Sequence, residues 1–177
     1  MWTIPLDVAE RADWLSEDEA ARAARFIFEK DRVRWIRARS ALRSVLSNYV
    51  SRTPGALRFV YGENGKPGLS GIESGIEFNL SHAGDFALIA VSESAPVGID
   101  IERVREGVDI APLLERLGET DLPNTVMELY QRWTRREARS KAAGGQLFVA
   151  PPADIQAVDI AAPEGYAASV ATRALSK

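Results

Sequence analysis

The spacing of apolar and polar positions changes along this chain, and each change predicts an element. In "SEDEAARAARFIF", Ser16 and Glu19 stand at capping-box spacing, so a helix begins near Ser16. From about Asp31 to Val50, Trp35, Ala38, Leu42, Val45 and Tyr49 recur every three or four residues. They predict a longer helix, closed by Pro54-Gly55. "ALRFVYGENGKPGLS" reads as a strand and a Gly/Pro turn, and "IEFNLSHAGDFALIAVS" as a hairpin around Ala83-Gly84-Asp85. After the short linker "SESAP" comes "PVGIDIERV", whose alternation is that of a strand with one apolar face. A third helix is predicted from about Thr125 to Ala143, stopped by Gly144-Gly145, and two last strands turn between Pro163 and Gly165.

Two pairs of segments resemble each other. "RWIRARSAL" (34–42) is like "RWTRREARS" (132–140), each inside a long helix, and "GDFALIAVS" (84–92) is like "EGYAASVAT" (164–172), each the return strand of a hairpin. The expected class is therefore α+β, with two similar lobes, residues 1–94 and 95–177, each a long helix packed on a small antiparallel sheet. A cleft between such lobes is a common place for a ligand.

Composition narrows the chemistry. With 177 residues, 46% hydrophobic and 27% charged, the chain is an ordinary globular one. It has no cysteine and one histidine, His82, so disulfides, thiolate metal sites, cysteine nucleophiles and His-rich zinc sites are excluded. No apolar run approaches the length of a membrane span, and the first residues do not read as a signal peptide, so a cytoplasmic protein is expected. The net charge of −3 argues against generic nucleic-acid binding. Yet 8 of the 22 Lys and Arg residues fall between Arg22 and Arg43, as either a solvated helix face or a local anion site.

Candidate chemistry begins with Asp100 and Glu102, two residues apart on one strand and so on the same side. At about 6–7 Å their carboxylates repel by roughly 2–3 kcal/mol at an effective dielectric of 20. Such alternation is ordinarily a wet face; the alternative is a site for a hard cation such as Mg²⁺, with Mn²⁺ as an acceptable substitute. Tyr130, Trp133, Glu137 and Lys141 share one helical stripe, placing Glu137 where core meets solvent, able to partner Lys141 or a metal held by the strand acids. His82 and Ser81 either serve the hairpin or donate to a phosphate, and Lys66 in "NGKPG" is either a turn residue or a second anion contact.

Taken together, "NGKP", "FNLSHAGDFALIAVS", "VGIDIE" and "WTRREARSK", in that order, resemble the 4′-phosphopantetheinyl transferases of the longer, Sfp-like, pseudo-dimeric type. The basic stretch "RAARFIFEKDRVRWIRARSALR" resembles the family's N-terminal pattern. The resemblance implies two lobes related by a pseudo-twofold axis, and a monomer. It implies Mg²⁺-dependent transfer of phosphopantetheine from coenzyme A to a serine of an apo acyl or peptidyl carrier protein, releasing 3′,5′-ADP. It assigns Asp100, Glu102 and Glu137 to the metal, with Asp100, Glu137 and Lys141 carrying the chemistry and Lys141 on the diphosphate. It further assigns Arg22 to the coenzyme's 3′-phosphate, Lys66 and Pro67 to the adenine, and Ser81 and His82 to phosphate. No nucleic acid or membrane is implied as a partner.

Two departures stand out. The family's lysine before the catalytic glutamate is Arg136 here, which keeps the charge but cannot relay a proton. Only 30 residues separate Glu102 from Trp133, in a region that helps the family bind its carrier. These leave a catalytically silent coenzyme A-binding module as the alternative, and an interaction domain whose acids are merely solvated as a third reading.

Overall fold

The computed structural model describes residues 1–71, 75–121, 123–144 and 150–173. Its first half contains β1 (Trp2–Pro5), α1 (Glu17–Ala23), α2 (Glu29–Ser47), β2 (Phe59–Tyr61), β3 (Pro67–Leu69), β4 (Glu77–Ala83) and β5 (Phe86–Ser92). The second contains β6 (Val97–Arg103), α3 (Ala111–Arg116), α4 (Val126–Ala142), β7 (Ile155–Asp159) and β8 (Tyr166–Arg173). One sheet has the order β1-β5-β4, another β6-β8-β7, and β2 and β3 form a separate two-stranded ribbon. All pairings are antiparallel. Each three-stranded sheet thus sets the return strand of its hairpin in the middle, beside the strand that opened that half.

The expected α1 is present: the Ser16 amide donates to Glu19 Oε2 at 2.9 Å and the helix starts at Glu17. Helix α2 starts at Glu29 and ends at Ser47, short of the expected Val50. The amides of Asn48 and Tyr49 bond back three residues, to Val45 and Leu46, tightening its last turn. Strand β1 and helix α3 were not foreseen: "WTIP" has no alternation long enough to read, and "APLLER" is a single short turn beside a proline.

The basic run in α2 is neither a simple wet face nor an open anion site. Arg39 and Arg43 are buried and both pair with Glu19, itself 1% exposed. Arg32 pairs with Glu29, Arg34 with Asp85, and Arg37 donates to the Leu6 carbonyl at 2.8 Å. Most of this charge holds the fold together.

Alternation distributes the core. Phe78 and Ile89 meet Leu42, Val45 and Leu46 of α2. On the opposite face of β5, Leu88 and Ala90 pack with Val97, Ile99 and Ile101 of β6, so one apolar cluster joins the two halves. As the free edge of its sheet, β6 needs partners for its outer amides. Side chains of β4 supply them: Asn79 Oδ1 accepts from the Ile99 amide at 2.9 Å, and Ser81 Oγ from the Ile101 amide at 3.4 Å. The other face of β6, carrying Gly98, Asp100 and Glu102, lies under α4.

Candidate active site

Gly98 sets the distance between β6 and α4. A Cβ there would lie 2.0 Å from the Ala138 carbonyl oxygen and 2.5 Å from the Ala142 nitrogen, so helix and strand touch backbone to backbone. Small residues at Ala138, Ala142 and Ala171 complete this contact. Glu137 and Lys141, on the adjoining stripe of α4, are thereby lowered onto the acidic face of β6.

Asp100 lies at the centre, 2% exposed. Its Oδ1 accepts from Ser81 Oγ at 2.8 Å and from Lys141 Nζ at 2.5 Å; Lys141 Nζ also donates to Ser81 Oγ at 3.2 Å. Its Oδ2 is buried with no hydrogen-bond partner. Burial holds the Asp100 carboxyl above the usual carboxylate range despite Lys141. Glu102 is raised as well, first by burial and then by Asp100, with Trp133 acting the other way. Glu137 is raised by burial, with Lys141 opposing and both strand acids adding to the rise. Three carboxyls held up by desolvation, Glu102 and Glu137 also by repulsion from neighbouring acids, and one with an orphaned buried oxygen, make a site that a second cation would relieve. Lys141 is the charge that stands there. Among the described residues no three acidic or imidazole side chains are already gathered as a cation site.

Lys66 and Pro67 arrive from the turn between β2 and β3, where Gly65 supplies the positive φ of 76°. With Asn64, Asn79, Glu137 and Lys141 they border a cleft of about 250 Å³. Lys66 Nζ lies 3.4 Å from Glu77 Oε2 and 3.3 Å from the Val97 carbonyl oxygen. Residues 66 and 141, far apart in sequence, thus face one space.

His82, next to Ser81 on β4, is exposed at its surface. Desolvation by its surroundings and then the charges of Lys141 and Arg34 keep it below the usual imidazole range. Arg22 lies elsewhere, in a cleft of about 490 Å³ shared with Asp18, Glu19, Arg25, Phe26 and Tyr61, its guanidinium 5.8 Å from the Trp35 ring centroid. The structure therefore brings Lys66, Pro67, Ser81, Asp100, Glu137 and Lys141 together, with Glu102 and His82 at their margin, and leaves Arg22 in a neighbouring cleft.

Sequence reading missed Ser140, which is 2% exposed, has no partner for its hydroxyl and borders the same cleft as Lys141. It also missed Asn79 and Ser81 as the clamps on the edge of β6; only their place in "FNLSH" marked them. Arg136 lines a different cleft, together with Arg132, Arg135 and Arg139.

A family model described as 4′-phosphopantetheinyl transferase, N-terminal, matches residues 4–94. In an alignment 160 positions long that covers 81% of this chain, the sequence is 39% identical to the 4′-phosphopantetheinyl transferase HetI of Nostoc sp., covering 68% of that protein. It is 31% identical, again over 81% of the chain, to the putative 4′-phosphopantetheinyl transferase slr0495 of Synechocystis sp., covering 64% of it. It is 37% identical over 66% of the chain to the 4′-phosphopantetheinyl transferase AcpT of Escherichia coli O157:H7, covering 60% of it. The chain thus spans about two thirds of the length of these relatives. With a family model matched over half of its residues and a relative 39% identical along four fifths of them, this chain belongs to the 4′-phosphopantetheinyl transferase family of enzymes.

Proposed function

We propose that this protein transfers 4′-phosphopantetheine from coenzyme A to a serine of an apo acyl or peptidyl carrier protein and releases 3′,5′-ADP. The observation that carries this reading is the convergence of Asp100, Glu137 and Lys141 at the Gly98 contact, in a chain of this family. In the reaction the serine oxygen forms a bond to the pantetheine-side phosphorus. The bridging P–O bond breaks, and its electron pair leaves with 3′,5′-ADP. Glu137 takes the serine proton as general base. Lys141 places its charge near the 5′-phosphate of the leaving 3′,5′-ADP. Ser81 holds Asp100 in place through the 2.8 Å bond.

Asp100, Glu102 and Glu137 hold Mg²⁺ in this reading, with Mn²⁺ as a substitute. The orphaned Asp100 Oδ2 and the three raised carboxyls support that fit. When bound, the ion would neutralise charge on the diphosphate that is cleaved. Lys66 and Pro67 flank the adenine, Ser81 and His82 contact phosphate, and Arg22 reaches the 3′-phosphate from its adjoining cleft. The lobes, 1–94 and 95–177, are related by a pseudo-twofold axis, a reading supported by the matching strand orders of their sheets. The protein acts as a monomer in the cytoplasm. The Arg136 substitution lends no weight to a silent module, because that residue lines the other cleft.

The test is stoichiometric: 3′,5′-ADP released in the presence of coenzyme A, Mg²⁺ and an apo carrier should equal the carrier converted. Conversion without release, or coenzyme A hydrolysis without conversion, would overturn the proposal.

A further inference from the structure

Among the described residues the buried hydroxyl side chains are Ser40, Ser81, Thr134, Ser140 and Ser169. All but one are bonded. Ser40 Oγ donates to the Ile36 carbonyl, four residues back on α2, at 2.8 Å. Ser81 Oγ donates to Asp100 at 2.8 Å, and the hydroxyls of Thr134 and Ser169 lie 2.8 Å apart in a shared bond. Ser140 Oγ, on α4, is buried without a partner among the described residues.

The helix gains nothing from that oxygen. Alanine has the higher helix propensity and would bring no unsatisfied polar atom, and Ala138 and Ala142 stand on either side of Ser140 in the same helix. A buried hydroxyl left unpaired lowers stability, so a reason for it has to be sought outside the fold. Ser140 borders the cleft of about 250 Å³ that holds Lys66, Pro67, Asn79, Glu137 and Lys141. Glu137, Ser140, Lys141 and Gly144 recur at i, i+3, i+4 and i+7, along and just past one face of α4. Gly144 borders an adjoining cleft of about 480 Å³, which shares Lys66 and Pro67 with the first. A ligand extended from Glu137 and Lys141 toward the β2–β3 turn passes Ser140, roughly 4.5 Å beyond Glu137 along the helix axis.

The chemistry of the lining indicates what Ser140 can bind. Lys66 and Lys141 are donors and suit an anion. Asn79 Oδ1 is already accepting from the Ile99 amide at 2.9 Å, and Glu137 belongs with the acids of β6. Ser140 Oγ is neutral and its lone pairs are unused. It suits a neutral N–H group of the ligand better than a phosphate.

We infer that Ser140 is a specificity-determining residue for the nucleotide, its Oγ accepting a hydrogen bond from the 6-amino group of adenine. The inference rests on the proposed function, which sets the adenine beside Lys66 and Pro67 in this cleft.

The test compares wild type with Ser140→Ala, using coenzyme A and its purine analogue, which lacks the 6-amino group. Titration calorimetry with Mg²⁺ and no carrier reads Kd for each ligand, and transfer kinetics read kcat and the carrier KM. Without ligand, the variant should melt at or above the wild-type temperature, because it loses an unsatisfied polar group. Its Kd for coenzyme A should rise about fivefold to tenfold, the loss expected for one hydrogen bond. Wild type should prefer coenzyme A to the purine analogue by a similar factor, while the variant should bind the two within twofold of each other. Both kcat and the carrier KM should stay within twofold.

A variant that keeps wild-type affinity for coenzyme A overturns the inference. So does one that weakens both ligands alike and keeps the preference, which would make Ser140 a packing residue, and so does a lowered melting temperature without ligand. Wild type with no affinity for coenzyme A overturns the inference and the proposed function together. A preference that disappears in Ser140→Ala, in a protein that modifies no carrier, upholds Ser140 and sinks the proposed reaction. Carrier transfer with a Ser140→Ala variant indistinguishable from wild type does the reverse.

Discussion

Gly98→Ala tests the contact that assembles the site. The new methyl carbon would stand 2.0 Å from the Ala138 carbonyl oxygen and 2.5 Å from the Ala142 nitrogen, both backbone atoms that no side-chain rotation can move. Relief requires α4 to withdraw from β6 by more than about 1 Å, and overpacking of this kind costs about 1–3 kcal/mol or more. At about 2–4 °C per kcal/mol for a chain of this size, the melting temperature should fall by roughly 5–10 °C. The same withdrawal carries Lys141 and Glu137 away from Asp100, and a displacement near 1 Å costs about 10²-fold in rate. Scanning calorimetry reads the first effect and transfer kinetics the second. Gly55→Ala is the control, because its Cβ would meet nothing nearer than 3.8 Å. A Gly98→Ala protein that melts within 2 °C of wild type and transfers at more than a tenth of its rate would refute the argument.

Three further perturbations separate the forces involved. Lys141→Met leaves the buried Asp100 uncompensated. It should cost about 2–3 kcal/mol, discounted because Lys141 is 25% exposed, and the double variant with Asp100→Asn should recover part of this in denaturant titrations. Glu19 ionises below its ordinary 4.5 because its arginine partners outweigh burial, so its contribution is full above that pH and is lost as pH falls through the lower folded value. Glu19→Gln should therefore lower stability at pH 7 by about 3–5 kcal/mol and flatten the acid limb of the stability profile; an unchanged acid limb would contradict this. Arg136→Lys should leave transfer within tenfold of wild type, and a much larger gain would show that the native residue impairs the chemistry.

What the sequence disclosed was mostly local. The capping pair Ser16 and Glu19, the alternation through β6 and the stripe through α4 each depend on neighbours within a few residues, and each stands where it was read. The long-range facts left weaker marks. Nothing near Glu19 announces that Arg39 and Arg43, about twenty residues on, will bury it, so a row of arginines read as surface or ligand site became an internal ion-pair network. Gly98 was visible as a glycine in a strand, but its reason is a helix backbone forty residues away. Lys66 and Lys141 share a cleft across the junction where Asn79 and Ser81 fasten β4 to the edge of β6. The family motifs marked most of these positions without giving the cause.

The central claim, that Glu137 beside Asp100 and Lys141 performs the transfer, is tested most directly by weighing an apo carrier intact after incubation with coenzyme A and Mg²⁺. Wild type should add the mass of one phosphopantetheine arm to the carrier, and Glu137→Ala, shown to be folded and still binding coenzyme A, should add none at matched times. Equal gain with both proteins, or no gain with wild type on any of a panel of acyl and peptidyl carriers, would contradict it.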